Sequence, residues 1–231
     1  MRTIVLVVSL LMTLGVAKAQ EAFFMQDLSI EISEAQYDPP VSLKKTGDFL
    51  VLKVTIENDS REYTQRREEI YKTLNALVTA AEKTASIKLH SGEYPIDRNN
   101  YKITLEQGSK RADTSTADIF VKIPLKGNDD IPRLTEELRG FVSGVTITGR
   151  TELFPGEVGL SIVDPEQYRS ELIERIAEDT KKVARICDST YKVSGLDKKM
   201  KTRRVSVTEI ELYLNYSFEI LPEEKAIISN K

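Results

Sequence analysis

The residues able to do chemistry are few and scattered. One histidine, His90, and one cysteine, Cys187, are present. A metal centre of imidazole and thiolate ligands needs several such groups at short spacing, and a nucleophilic triad needs a serine placed beside its base. Neither residue has a companion of its kind, and no serine motif accompanies His90, which falls on a strand opposite Ile87 and Leu89 and is expected at the surface. The paired carboxylates Glu68-Glu69, Asp129-Asp130, Glu136-Glu137 and Glu223-Glu224 could serve acid–base chemistry only if they converged on one substrate. Adjacent acids on a helix point apart, so these pairs read as caps or solvated faces. The glycines form no phosphate-cradling loop. Lys198, Lys199, Lys201, Arg203 and Arg204 make the one dense basic cluster. It reads either as a solvated hairpin loop or as a dock for anionic lipid or another acidic envelope polymer. No catalytic, metal-binding or cofactor-binding residue is assigned, and no cofactor is expected.

The elements that must carry these residues are read from periodicity. Val158, Leu160 and Ile162 alternate as a strand. Asp164-Pro165-Glu166 then supplies an N-cap, a first-turn proline and an early acid. The helix predicted from Tyr168 to Cys187 carries Tyr168, Leu172, Ile176, Val183 and Cys187 on one stripe, so Cys187 is expected to be a small buried hydrophobe. The same phrase of strand, Asn/Asp cap and amphipathic helix occurs twice earlier. Leu50 to Glu57 leads through Asn58-Asp59-Ser60 into a helix from Arg61 to Lys83, with Tyr63, Ile70, Leu74, Leu77 and Val78 inward and Arg66 outward. Ile119 to Leu125 leads through Asp129-Asp130 into a helix bearing Ile131, Leu134, Leu138 and Phe141.

Between the first two units, Ile87 to Ser91 and Tyr101 to Gln107 read as a hairpin joined by a long loop. Val145 to Leu153 reads as a strand, with Pro155-Gly156 turning the chain into the next. Tyr191 to Leu196 precedes the basic loop. The last stretch, Val205 to Ile220, alternates throughout: Ile210, Leu212, Leu214, Tyr216, Phe218 and Ile220 share one face. It is expected to be one long strand whose apolar face is covered by the Tyr168 to Cys187 helix within the same chain. The fold class predicted is α+β, a mostly antiparallel sheet with three amphipathic helices packed on it.

The first residues set the expected compartment. Arg2, the apolar run Ile4 to Leu14, and Ala17-Lys18-Ala19 have the architecture of a signal peptide cleaved after Ala19. The run is too short to cross a bilayer, and no later stretch is long enough. The protein is therefore expected to be periplasmic or secreted. Losing Arg2 and Lys18 moves the formal charge from -3 to -5, which argues against a nucleic-acid partner. A lone cysteine cannot close an intramolecular disulfide, so the core alone must hold the fold. Residues 20–45 read as an irregular N-terminal segment with Leu28, Ile30 and Ile32 as a strand, residues 46–220 as the folded domain, in one body or two lobes, and residues 221–231 as a tail.

The order of these units resembles the SIMPL domain family, an exported bacterial group that includes oxidative-stress-defence and periplasmic immunogenic proteins. The resemblance covers residues 46–220. It rests on the strand Leu50 to Glu57 with its helix, on Ala117 to Phe141, and above all on Arg169, Leu172, Ala177, Asp179, Lys182 and Ala184 in the long helix. The family's opening strand with a Val-x-Gly-x-Gly phrase is replaced here by Leu28 to Tyr37. The resemblance implies a non-enzymatic envelope protein linked to envelope or oxidative stress defence, with self-association or other envelope proteins as partners. The alternative reading is a hydrolase-like enzyme whose site assembles from dispersed acids and tyrosines.

Overall fold

A computed structural model describes residues 39–101, 103–108 and 113–221. The expected signal peptide, the Leu28 to Ile32 strand and the Glu223-Glu224 pair lie outside the described residues. The described chain is α+β, with three α-helices and antiparallel sheets throughout.

The elements follow in chain order. β1 (Leu43–Thr46) and β2 (Phe49–Asn58) lead into α1 (Tyr63–Lys83). β3 (Lys88–Ser91), β4 (Tyr94–Ile96), β5 (Glu106–Gln107) and β6 (Ser115–Pro124) lead to α2 (Ile131–Ser143). β7 (Thr151–Ser161) and a 3-10 turn (Pro165–Tyr168) precede α3 (Arg169–Ile186). β8 (Thr190–Ser194), β9 (Lys201–Arg204), β10 (Glu209–Tyr213) and β11 (Ser217–Leu221) close the described chain.

The main sheet has the order β4-β3-β6-β2-β7, with β5 also on β6. The alternation predicted for β2 and β6 sets its register. Leu50, Leu52, Val54 and Ile56 stand opposite Ile123, Val121, Ile119 and Ala117. All eight are buried. This face receives α1 through Ile70, Leu74, Leu77 and Val78, and α2 through Leu134, Leu138 and Val142. Each such buried side chain contributes roughly 1.5–3 kcal/mol, which is why period-2 strands and period-3.6 helices lock together here. The opposite face presents Lys53 and Asp118 to solvent, paired at 2.8 Å, and the exposed ring of Phe154.

Four expectations about strands are corrected, the first being the start of β7, which lies at Thr151 and not at Val145. The hairpin partner of β3 is β4, joined by Gly92-Glu93 with Gly92 at φ +58°, and not the segment 101–107, whose last residues pair with β6 instead. Three residues containing a proline are too short to stand out by pattern. Pro155-Gly156 is not a turn. β7 runs through it, and the register against β2 shifts between Leu52 and Val54, a bulge that accommodates a residue lacking an N–H. Arg139 donates to Gly156 O at 3.1 Å and Arg204 to Val158 O at 2.8 Å, so backbone carbonyls of this edge strand are satisfied from α2 and β9.

The predicted long last strand is divided. β10 pairs with β1 and β9 in a three-stranded sheet, whereas β11 pairs with β8 in a separate ribbon. Leu214–Tyr216 lie between the two. β1 thus begins inside the segment that the sequence reading leaves irregular. Ile210, Leu212 and Leu214 are buried, but Tyr216 and Phe218 are only partly so and Ile220 is exposed.

α3 is tied to β1 and lies next to β8 in the chain. Its Leu172 and Ile176 are buried in the one core cluster that runs from the main sheet to Leu43, Ile210, Leu212 and Leu214, and Lys45 of β1 bonds Glu171 at 3.0 Å. That ammonium holds the Glu171 carboxyl below its ordinary range. The buried stripe is Leu172, Ile176, Thr180 and Ala184, and the helix ends at Ile186, beyond what it packs on. Cys187 is therefore exposed, not buried as expected. Tyr63 is likewise 56% exposed at the opposite extreme, in the first turn of α1.

Candidate functional site

β3 and β5 share one edge of β6 without meeting. β3 covers Phe120 to Lys122 and β5 covers Ser115 and Thr116, so Ala117, Asp118 and Ile119 have no strand beside them on that side. A cleft of about 750 Å³ lies at this gap. Its walls carry three carboxylates, Glu93, Glu106 and Asp118, and two aromatic rings, Tyr94 and Phe120. Asp118 is anchored by Thr55 Oγ1 at 2.6 Å and Lys53 Nζ at 2.8 Å. Among the described residues no lysine or arginine lines the cleft, and the lining they form favours a ligand with a cationic or hydrogen-bond-donating group and an apolar body. Nothing in the local sequence announces this site, because its acids come from a turn, a two-residue strand and the middle of β6.

His90 is half-buried on β3, at register positions opposite Phe120 and Pro95, and not at the surface as expected. It does not line the cleft. Among the described residues no three His, Cys, Asp or Glu side chains gather as a metal-binding group.

A second concentration of polar groups sits under the start of α1. Of the pair Glu68-Glu69, only Glu68 faces solvent, with Lys72 at 3.8 Å. Glu69 is buried, because it falls on the stripe of Arg66, Ile70 and Thr73. Its Oε2 accepts from Asn58 Nδ2 at 2.7 Å, Ser60 Oγ at 2.8 Å and the Arg150 backbone N–H at 3.0 Å, while Oε1 accepts from Gln65 at 2.8 Å. These donors, Asn58 first, hold its carboxyl well below the ordinary 4.5, down to about 2, against the opposing effect of burial. The expected cap cluster Asn58-Asp59-Ser60 is thus redeployed: α1 has Glu62 at its N-cap with no side-chain cap bond. Asp59 instead takes the Arg150 guanidinium at 2.6 and 2.8 Å and raises that group's already high pKa. All these groups are consumed in joining the end of β2, the start of α1 and the approach to β7, so this is a structural hub.

The basic cluster does not stay together. Arg203 is drawn to the buried carboxylate of Glu211, which also accepts from Ser42 at 2.5 Å. Arg204 donates to Ser206 O at 2.9 Å as well as to Val158 O. Both lie on β9, so the cluster is part strand and not only a loop. Lys198, Lys199 and Lys201 are exposed. The turn they follow is pinned from α3: Arg169 donates to Leu196 O at 2.6 Å and Lys198 O at 2.8 Å, and Glu166 accepts from Met200 N at 3.0 Å. Burial opposes ionisation of Glu166, yet Arg169 at 2.6 Å and the Met200 N–H prevail and lower its pKa. Arg169→Ala should free two carbonyls and loosen residues 195–200; amide hydrogen exchange there is expected to rise at least tenfold, equivalent to a local loss of about 1.4 kcal/mol, with exchange in β2 and β6 unchanged.

Compared with known proteins, the chain matches no family model and no curated protein. No helix among the described residues is long and apolar enough to cross a membrane.

Proposed function

We propose that this protein is an exported, non-enzymatic cell-envelope protein of the SIMPL type, acting through self-association or contact with other envelope proteins in envelope or oxidative stress defence. The observation that carries the reading is the order β2-α1-β6-α2-β7, with both helices on one face of an antiparallel sheet, which is the arrangement the resemblance implies. The N-terminal signal architecture supports export. Cell fractionation should find the protein outside the cytoplasm with Gln20 as its first residue. A deletion strain should lose survival under oxidant or detergent challenge, and wild-type survival under both would remove the link to stress. Weak contact with an anionic envelope surface would fall to Lys198, Lys199 and Lys201. Co-sedimentation with anionic vesicles, lost when all three become Gln, is the corresponding check.

A second reading has one specific observation behind it. The cleft places Glu93, Glu106 and Asp118 with Tyr94 around one space, the arrangement a hydrolase-like site built from dispersed acids and a tyrosine would need. Purified protein turning over chromogenic esters or glycosides, with activity lost in both Glu106→Gln and Asp118→Asn, would favour it over the binding role. Absence of turnover across both substrate classes would remove it.

A further inference from the structure

The 21-residue helix α1 starts without the usual compensation for its first N–H groups. Its N-cap residue makes no side-chain bond, and its first turn holds no acid. Beside that turn lies a cavity of about 190 Å³, lined among others by Tyr63, Arg66, Glu106, Thr114 and Ser115. Arg66 is only 8% exposed. Its Nη1 donates to the carbonyls of Ser60 at 2.8 Å and Arg61 at 3.0 Å, and its Nε to Ser115 Oγ at 3.1 Å. Among the described residues no carboxylate pairs with it and its Nη2 has no hydrogen-bond partner. The Tyr63 ring stacks near the guanidinium, 5.7 Å from centroid to carbon, without supplying charge. A largely buried cation served only by neutral oxygens gains charge compensation from an anion that reaches its open nitrogen.

We propose that this cavity binds a small oxyanion, a phosphate, sulfate or carboxylate group, held by the Arg66 guanidinium with the positive end of α1 behind it. The Ser115 hydroxyl, which accepts from Nε, has its own proton to donate. The volume suits a single oxyanion group and is too small for a nucleotide. Glu106, the one acid in the lining among the described residues, opposes binding and so sets a sign for the test. The site is separate from the stress-defence reading, and neither depends on the other.

The purified protein should be titrated with sulfate, phosphate and acetate at constant ionic strength, against chloride, while the amide signals of Tyr63, Thr64 and Ser115 and the Nε–H of Arg66 are followed by NMR. Saturable shifts in the millimolar range are expected for at least one oxyanion and not for chloride. The tightest arm identifies the group as tetrahedral or carboxylate. Glu106→Gln should tighten that Kd by about threefold or more, because a nearby like charge is removed, and Arg66→Met should abolish saturation. Equal shifts with chloride, an unchanged Kd in Glu106→Gln, or saturation retained in Arg66→Met would each overturn the proposal. If Arg66→Met does not fold, the Glu106→Gln comparison decides alone.

Discussion

Replacing Glu69 by glutamine should destabilise the protein by roughly 3 kcal/mol at pH 7 and reduce the acid sensitivity of its stability. The carboxyl has a folded pKa of about 2 against an ordinary 4.5. At about 1.4 kcal/mol per pK unit, that depression corresponds to the quoted loss. The direction is fixed by the depression. The unfolded chain binds a proton below about pH 4.5 while the folded chain refuses it until about pH 2. The stabilisation is therefore fully present above 4.5 and is lost as pH falls through that interval. The Glu69→Gln variant has no charge to protect at this position, so its stability should change less between about pH 5 and pH 2.5. The new amide must also oppose one of the N–H donors that Glu69 accepts. Urea midpoints of the two proteins at several pH values measure both effects. Gly149 gives a second handle on the same hub. It sits at φ +60°, and a Cβ there would collide with the Glu69 carboxyl group. Gly149→Ala should then lower stability and, by pushing the carboxylate off its donors, reduce the loss of stability between about pH 4.5 and pH 2.

The contrast between Glu69 and its neighbours shows what could be read from the sequence. Leu50 to Ile56 and Ile119 to Leu125 announced strands because one face of each is wholly buried, and burial is what writes a period of two. α1 and α2 were legible for the same reason at a period of 3.6. Glu69 and Arg66 were not, since each is an ordinary surface residue by type. Their burial depends on Asn58, Ser115 and Arg150, which the fold brings from up to 81 residues away in sequence. The cleft was invisible on similar grounds: a gap between β3 and β5 is a property of where two short strands stop along β6. Pro155-Gly156 has one composition for two structures, a turn or a bulge, and only the partner strand β2 decides between them. Cys187 followed the apolar spacing of its helix correctly but lay past the end of what that helix covers.

Leu214→Asp should abolish the folded state, whereas Ile220→Asp should cost no more than about 1 kcal/mol. Both residues lie on what the alternation presented as one apolar face, so the pair tests the division of that strand. Leu214 is completely buried and belongs to the cluster that holds Leu43, Leu172, Ile176, Ile210 and Leu212. A carboxylate placed there has no cationic partner supplied for it, and burying an unpaired charge is among the few single changes that exceed about 4 kcal/mol, on the order of the whole stability of a domain. Ile220 is 38% exposed on β11, in the two-stranded ribbon with β8, where a new charge keeps its water. Circular dichroism and light scattering on both variants separate the cases. An unfolded Leu214→Asp beside a folded Ile220→Asp places the α3 side of β10 in the core of one chain, leaving strand edges and outer helix faces for any self-association. A folded monomer from Leu214→Asp, derived from a wild type that is oligomeric, would mean instead that this apolar face is buried between subunits, because only a partner's surface could be lost without the chain's own fold.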